Sequence, residues 1–362
     1  MAYELDFIGV NKKTDDATAI GIRWKNPDGS FTVGVFDGGT ADYGETLKEH
    51  MKKYYFDGQD CGHIDFVICS HPHNDHASGL VTILENFDVG KLYMNCPWDY
   101  VDELYERVKD GRITKESLER RLREAYSKTD KLEQIARERG IKIYSVFEGD
   151  VIENKLTALS PSKEFYLDMI AESGKTPAME SYSLLHSAVQ FVKKVINYIA
   201  ESWGVDSIRE NVETEPDNET STVILGEMDD ESFMLTGDVG IKGLTCAMDY
   251  ADSVGKEIKE NVTIYEIPHH GGRHNVSPSI LNRMLGGIVP RDVTIGKTAL
   301  VCTGKDSDHP KRMVVNAFLR RGVKVHNASG NTIQHHRGDM PARDWSTSVP
   351  LEFYDEVEEW SK

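Results

Sequence analysis

A short histidine-rich segment directly after an apolar run constrains the fold more than any other part of this 362-residue chain. The apolar residues Ile64–Cys69 predict a buried strand, and Ser70 is followed by His71-Pro72-His73-Asn74-Asp75-His76. Helices and strands present side chains at fixed periods, whereas a tight turn can bring several side chains to one point, as metal coordination requires. The segment therefore predicts a metal site at the end of a buried strand.

The composition of the chain disfavours several classes of protein. Hydrophobic residues make up 39% and charged residues 28%, which fits a soluble globular protein. No apolar run approaches the roughly 20 residues that cross a bilayer, and the acidic N-terminus is unlike a signal peptide, so no membrane contact is expected. The five cysteines are widely spaced, without a Cys-x-x-Cys pair, which favours a reducing cytoplasm over a disulfide framework or a structural zinc finger.

The net charge of −18 bears on the partners of the chain. A protein that follows long stretches of nucleic acid usually shows a basic surface, because phosphate contacts dominate its affinity. The acidic total therefore disfavours a general nucleic-acid-binding scaffold. It does not exclude a nuclease, since bound dications and a few arginines can reverse the sign of the charge inside a cleft.

Strand-like segments fall in two blocks separated by helical insertions, and each block ends at a loop with metal-binding residues. The predicted strands are Ala19–Trp24, Phe31–Phe36, Ile64–Cys69, Lys142–Phe147, Lys155–Leu159, Ser221–Leu225, Ser232–Leu235, Val262–Ile267, Ala299–Cys302 and Lys324–His326. This order predicts an α/β sandwich of two sheets flanked by helices, in one domain over residues 1–362.

The two insertions are predicted at about residues 98–140 and 163–215. In the first, Thr114 is placed to cap a helix and Gly140 to end it. In the second, Ser183–Trp203 carries apolar residues at helical spacing, and Glu210–Glu219 is predicted to be a loop. The first insertion is rich in charge, which predicts a solvated helix face or a binding surface, and both insertions are candidates for contact with a protein partner or a second copy.

Two later loops also end apolar strands with metal-binding residue types. Phe233-Met234-Leu235-Thr236-Gly237-Asp238 ends in Gly-Asp, and Ile264–Gly272 ends in a pair of histidines, His269 and His270. A carboxylate can offer one oxygen to each of two dications, and Asp238 is the natural candidate for that bridging role.

Together these residues resemble the metallo-β-lactamase superfamily, whose signature is His-x-His-x-Asp-His, a later Asp after a strand, and a final His. In detail they are similar to the metallo-hydrolase domain of ComEC-type competence proteins. The similar segments are Asp16-Ala17, Phe36-Asp37-Gly38-Gly39, Ser70–His76, Leu159-Ser160-Pro161, Asn218–Ser221, Leu235–Asp238, Pro268–Gly271 and His309-Pro310. The resemblance implies an αββα sandwich of two mixed β-sheets flanked by helices, and it leaves the two insertions unassigned.

The resemblance also implies a ligand set. His71 and His73 would bind a first metal ion, and Asp75 and His76 a second, with Asp238 between them. The closing ligand is His269 or His270.

In the family the final ligand often directly precedes a glycine. That favours His270 and leaves His269 to contact substrate. Asp37 would hydrogen-bond to the ligand loop and fix the orientation of a ring, or would be an ordinary turn aspartate.

One departure from the family pattern concerns the first ion. Most dinuclear members have a further histidine in a third motif, but the matching segment Asn218–Ser221 contains none. The first ion would then have fewer protein ligands, or His186 would substitute from the second insertion. Manganese becomes an alternative to zinc, because a site richer in oxygen suits harder ions. Whether one or two ions bind is left open.

These ligands imply hydrolysis by a metal-activated water, and the ComEC-type motifs imply a phosphodiester of a nucleic acid or nucleotide as the substrate. Asp75 would also orient the water, and His309 would contact a phosphate or the leaving group. The cations Arg273, Lys305 and Lys311 lie beside the histidine motifs and would add positive charge or be solvated surface residues.

Two other functions are compatible with the same residues. One is hydrolysis of another bond, such as an ester, lactone, amide or phosphorylcholine ester, because this scaffold hosts many reactions. The other is an effector subunit that becomes active only in a protein complex, with the helical insertions as its assembly surface.

Overall fold

The structure is a computed structural model that describes residues 1–10, 15–107, 113–175, 201–203 and 208–360. Its strands are β1 (Tyr3–Phe7), β2 (Ala19–Lys25), β3 (Phe31–Gly38), β4 (His63–Ile68), β5 (Asp88–Tyr93), β6 (Lys142–Tyr144), β7 (Val151–Ile152), β8 (Leu156–Ser160), β9 (Val223–Met228), β10 (Glu231–Leu235), β11 (Val262–Glu266), β12 (Thr298–Val301), β13 (Lys324–Asn327) and β14 (Ile333–Arg337). Its α-helices are α1 (Ala41–Tyr55), α2 (Asn74–Ala77), α3 (Leu80–Asn86), α4 (Val101–Arg107), α5 (Lys115–Ala125), α6 (Ser127–Arg139), α7 (Lys163–Glu172), α8 (Pro216–Glu219), α9 (Ile241–Ser253), α10 (Ile258–Asn261), α11 (Pro278–Leu285) and α12 (Arg312–Arg320). Short 3₁₀ helices lie at Pro97–Tyr100 and His269–Gly271.

Within the described residues the strands form two sheets of seven. The first has the order β14-β1-β2-β3-β4-β5-β6 and the second β13-β12-β11-β10-β9-β8-β7. Both are mixed: β3 to β6 and β10 to β13 run parallel, and the remaining pairs are antiparallel. The predicted αββα sandwich of two mixed sheets is confirmed.

The strands of the second sheet bury both faces. In β12, Leu300 belongs to the core that includes first-sheet residues, whereas its neighbours Ala299 and Val301 belong to the core shared with α9, α11 and α12. Side chains of a strand alternate between its two faces, so one strand can contact the opposing sheet and the outer helices at once. This packing fixes the two sheets against each other and holds their strand ends in place.

Strand direction brings the predicted ligand loops to one edge. The ligand turn follows β4, Asp238 follows β10, and the paired histidines follow β11. In the first sheet β4 is parallel to β3, in the second β10 is parallel to β11, and parallel strands end at the same edge. The two edges meet where the ligand loops face each other across the sandwich.

In the segments predicted as insertions, the described residues include helices α4 to α7. Thr114 caps α5 by accepting a hydrogen bond from the backbone N–H of Ser117, and Gly140 ends α6 in the left-handed region with a φ of 71°. The predicted helix Ser183–Trp203, including His186, lies outside the described residues except for its last three. The described helices include none that is long and apolar enough to cross a bilayer.

Some elements differ from the prediction. The segment predicted as a loop over Glu210–Glu219 contains α8, which Pro216 begins at the first helical position, where its fixed φ is favourable. The strands β1, β5, β7 and β14 are not in the predicted set. In β1 the apolar residues Tyr3, Leu5 and Phe7 alternate with Glu4 and Asp6, and all five are buried.

Those two carboxylates belong to a buried ionic cluster on β1. Arg23, opposite Glu4 in the β1–β2 register, places its Nε 2.7 Å from Glu4 Oε1. His50 Nε2 lies 2.7 Å from Asp6 Oδ2. Arg343, from the segment after β14, donates to both carboxylates and is 3% exposed. The cluster therefore ties the C-terminal segment to the first sheet.

We expect Arg343→Ala to lower the free energy of unfolding by about 3 kcal/mol, because it leaves buried carboxylates short of a partner. Urea unfolding measures the change. The matched control is Arg120→Ala, whose side chain is 70% exposed and pairs with Glu124 at 3.9 Å; it should change stability by less than about 0.5 kcal/mol. Equal effects of the two changes would contradict the role of the cluster.

Lys297 gives the fold a pH dependence. Its ammonium is buried against the carbonyl oxygen of Val262, and burial lowers its pKa to about 8. At Lys297 the unfolded chain binds more protons than the folded chain between pH 8 and about 10.4, so the contribution of this side chain to stability should rise with pH in that window. We expect the stability of the wild type to gain on the order of 1 kcal/mol relative to Lys297→Met between pH 7.5 and 10. Urea unfolding at both pH values measures the gain, and a constant difference would contradict it.

Candidate metal centre

The ligand turn is a loop and a single helical turn at the end of β4. His71 follows the strand closely, and His73 is the N-cap residue of α2, with a φ of −72° and a ψ of 155°. The helix then carries Asp75 and His76 in its four residues. This abrupt change from strand to helix is what brings the four side chains to one side, as the sequence predicted.

Two groups of candidate ligands lie side by side and share one residue. The first position is formed by His71, His73 and Asp238, and the second by Asp75, His76, Asp238 and His270. Within each group the ligand atoms all lie within 4.8 Å of one another. The structure thus brings together the six residues that the sequence proposed as metal ligands.

Asp238 lies between the two positions. Its Oδ1 is 2.9 Å from His76 Nε2, and its Oδ2 is 3.6 Å from His71 Nε2. Its backbone is also held in place. Glu266 accepts hydrogen bonds from the backbone N–H groups of the two residues that precede Asp238. Asn275 Nδ2 donates to the Asp238 carbonyl oxygen. The carboxylate is therefore placed to face both positions.

Three imidazoles are oriented through the nitrogen that faces away from the centre. His76 Nδ1 lies 2.7 Å from Asp37 Oδ2, and His270 Nδ1 lies 2.9 Å from the carbonyl oxygen of Cys302. His71 Nδ1 lies 3.0 Å from Ser70 Oγ, which itself donates to Asp37. These contacts leave each Nε2 for the centre, which is how proteins usually orient metal-binding histidines.

The centre combines buried charges of opposite sign. Burial lowers the pKa of His76, but the carboxylates of Asp238 and Asp37 outweigh burial and raise the pKa well above its usual value. Burial likewise lowers the pKa of His270, and Asp238 and Asp75 raise it to about 9. Burial raises the pKa of Asp238, but the charges of the imidazoles hold it well below its usual value. The Asp238 carboxylate is thus kept ionised, the form that binds cations.

Unpartnered polar atoms show that divalent ions fit these positions. Four buried atoms have no hydrogen-bond partner of acceptable geometry among the described residues: His71 Nε2, His76 Nε2, and both Oδ1 and Oδ2 of Asp238. Leaving such atoms buried and unpaired is costly, and imidazole nitrogens with carboxylate oxygens are the donor set of zinc and manganese sites. The residues present fit the metal ions that the resemblance implies.

The paired histidines differ in position. His270 is buried in the second group, whereas His269 is one-third exposed, with its Nε2 3.6 Å from Asp238 Oδ2. Both have a positive φ, of 51° and 53°. Gly271 follows at a φ of 84°, and a Cβ there would lie 2.4 Å from Pro310 Cβ. His270 is thus the histidine of this pair that lies within a ligand group, and His269 is the more exposed of the two.

His309, the third proposed catalytic residue, lies at the opening with a carboxylate partner. Its Nδ1 is 2.9 Å from Asp16 Oδ2, and its ring centroid is 6.3 Å from that of His269. Asp16 also accepts hydrogen bonds from the Gly304 N–H and from Ser307 Oγ. The carboxylate therefore fixes the imidazole through Nδ1 and leaves Nε2 as the other proton-carrying atom.

Two of the cations named from the sequence are engaged elsewhere. Arg273 stacks on Trp360 and donates to the Glu359 carbonyl oxygen, and Lys311 forms an ion pair with Asp308.

A carboxylate that the sequence reasoning missed, Asp217, lies 3.6 Å from His73. The available signal was its position directly before the third motif at Asn218.

Comparison with known proteins agrees with the fold. A model of the metallo-beta-lactamase superfamily matches residues 28–112, which include β3, β4 and the ligand turn. The match covers only this part of the chain, and the two mixed sheets have the sandwich fold expected of that superfamily. No curated protein matches the chain significantly.

Several solved structures are similar at low identity. The hydrolase AbOPH of the beta lactamase superfamily is 12% identical, with a TM-score of 0.31 over 61% of this chain and 55% of that one. A metal-dependent hydrolase of the beta-lactamase superfamily is 11% identical, with a TM-score of 0.43 over 93% of this chain and 100% of that one. AidC, a dizinc quorum-quenching lactonase, is 12% identical, with a TM-score of 0.31 over 67% and 69%. This chain thus spans about half the length of AbOPH.

We expect Asp238→Asn to reduce the bound zinc from about two ions per chain to fewer than about 0.2, because both positions share this carboxylate. Elemental analysis after dialysis measures the content. The control, Asp339→Asn, changes a carboxylate that is 98% exposed, and it should leave the content unchanged. Wild-type zinc content in Asp238→Asn would contradict a shared ligand.

Proposed function

We propose that this protein is a metal-dependent hydrolase of phosphodiesters, with a nucleic acid or a nucleotide as its substrate. The observation that supports it best is the pair of ligand groups joined at Asp238. Paired ions clamp the attacking and leaving oxygens of an in-line displacement, which suits phosphoryl transfer. The ComEC-type motifs of the sequence favour the same substrate class. Zinc is the expected metal, with manganese as the alternative, and the free cysteines favour the cytoplasm.

The bound ions would supply the Lewis acidity that lowers the pKa of a water molecule and neutralises charge on the phosphoryl group. The residues of the chain supply position and protons. Asp75, 3.3 Å from His270 Nε2, orients the attacking water, and His269 at the opening contacts the oxygens of the substrate.

His309 is assigned to the leaving group. As the water oxygen forms its bond to phosphorus, the bond to the leaving oxygen breaks and its electron pair stays on that oxygen. His309 Nε2 then gives the leaving oxygen a proton, while Asp16 holds the imidazole through Nδ1. Ribose and deoxyribose hydroxyls are poor leaving groups without such a proton, so the dyad suits a nucleotide substrate.

The substrate class is tested with purified zinc-loaded and manganese-loaded protein on bis-p-nitrophenyl phosphate, single- and double-stranded DNA, a dinucleotide, a lactone and a chromogenic lactam. We expect turnover of the phosphodiesters alone, abolished by Asp75→Ala and Asp238→Ala. Turnover of the lactone or lactam without phosphodiester turnover would contradict the proposal. Activity that appears only with a partner protein would instead support the effector alternative.

The role of His309 predicts a dependence on the leaving group. In His309→Ala, turnover of a dinucleotide should fall by at least about 100-fold, whereas turnover of bis-p-nitrophenyl phosphate should fall by less than about tenfold, because p-nitrophenolate leaves without a proton. Asp16→Asn should show the same selectivity with a smaller loss. Equal losses on both substrates would point to a structural role for the dyad.

A further inference from the structure

The first position lacks the third-motif histidine of the family pattern, and the structure places a carboxylate beside it. Asp217, the residue before Asn218, is buried, and its Oδ2 lies 3.6 Å from His73 Nε2. The same distance separates His71 Nε2 from Asp238 Oδ2, which belong to one ligand group. Asp217 itself stands just outside that group, next to His73.

Strand direction explains why a residue of this loop reaches the centre. β9 is antiparallel to β10, with Ile224 opposite Leu235, so the residues before β9 lie at the edge where β10 ends. Asp238 follows β10, and Asp217 precedes β9. The two carboxylates therefore reach the centre from adjacent strands of the second sheet.

Both helical insertions hold Asp217. Tyr126, at the junction of α5 and α6, donates its hydroxyl to Asp217 Oδ1 at 2.9 Å. Lys175, three residues beyond α7, places its Nζ 2.6 Å from Oδ2. The hydroxyl fixes the carboxylate through one oxygen. The half-exposed ammonium supplies the positive charge at the other, on the side of His73.

We propose that Asp217 is a metal ligand of the first position, in place of the missing histidine, and that the two insertions serve to hold it there. The inference rests on the metal centre proposed above and not on the identity of the substrate. An ion and the Lys175 ammonium compete for the same oxygen, Oδ2. Since the lysine side chain is long and 44% exposed, it releases that oxygen when a dication supplies the charge.

The test is metal affinity, measured on full-length wild type and variants by zinc competition titration, with cobalt absorption spectra as a second readout. In Asp217→Asn the zinc dissociation constant of the weaker-bound ion should rise at least about tenfold, while that of the other ion stays within about twofold. His73→Ala should affect the same ion. Asp217→His should restore affinity and change the cobalt spectrum, because an imidazole replaces an oxygen donor.

The matched control is Asp16→Asn, which also removes a carboxylate near the centre but one that pairs with His309. It should leave both dissociation constants within about twofold of wild type, which separates ligation from general loss of negative charge. Wild-type affinity and an unchanged cobalt spectrum in Asp217→Asn would overturn the inference. A wild type that binds no zinc would overturn the metal centre itself, and the two failures are therefore distinguishable.

A measurement on the unmodified protein covers the case in which Asp217→Asn does not fold. Anomalous scattering from zinc-loaded crystals should place an ion at the first position within about 2.0–2.2 Å of Asp217 Oδ2, with the Lys175 ammonium displaced. An ion held there without Asp217 among its ligands would overturn the inference.

Discussion

The buried carboxylate of Asp238 is the interaction on which the rest of this structure depends. Its oxygens lie inside the protein, and each faces imidazole nitrogen of a different ligand group. A buried charge is tolerated only when charge of the opposite sign lies close to it, and His76 and His270, whose pKa values are raised, provide that charge before any metal does. Asp37 and Glu266 then fix the loops that carry these groups. The pairing of Asp238 with these imidazoles therefore offsets the cost of burying the carboxylate and also places the ligand atoms before an ion binds.

Each of the two sheets contributes one carboxylate near the centre, from the same position relative to its strands. In the first sheet Asp16 precedes β2, and in the second Asp217 precedes β9; each of these strands runs antiparallel to the strand that starts the parallel set. Because two antiparallel strands run in opposite directions, the residue before one strand lies at the edge where the other strand ends. Each sheet therefore supplies one carboxylate from this position, and each carboxylate contacts a histidine: His309 for Asp16 and His73 for Asp217.

The sequence predicted the loops that follow apolar strands, because a buried strand has a strong pattern and its end is easily located. It therefore found all members of both ligand groups, and the structure brings them together. It did not find β1, a strand of only five residues in which two of the buried side chains are acidic, or β14, which is mostly polar and pairs with β1. Asp217 was missed because its contact with His73 depends on the order of the strands in the sheet. The spacing of residues along the sequence does not reveal that order.

The left-handed backbone of the paired histidines has a consequence for the lifetime of the folded protein. Two consecutive non-glycine residues in the left-handed region store roughly 1–3 kcal/mol each, and the adjoining centre adds buried atoms without hydrogen-bond partners. Ions that bind the folded chain alone would offset this strain and slow local opening. The supply of divalent ions in the cell would then govern the lifetime of each copy against proteolysis as well as the fraction of copies able to react.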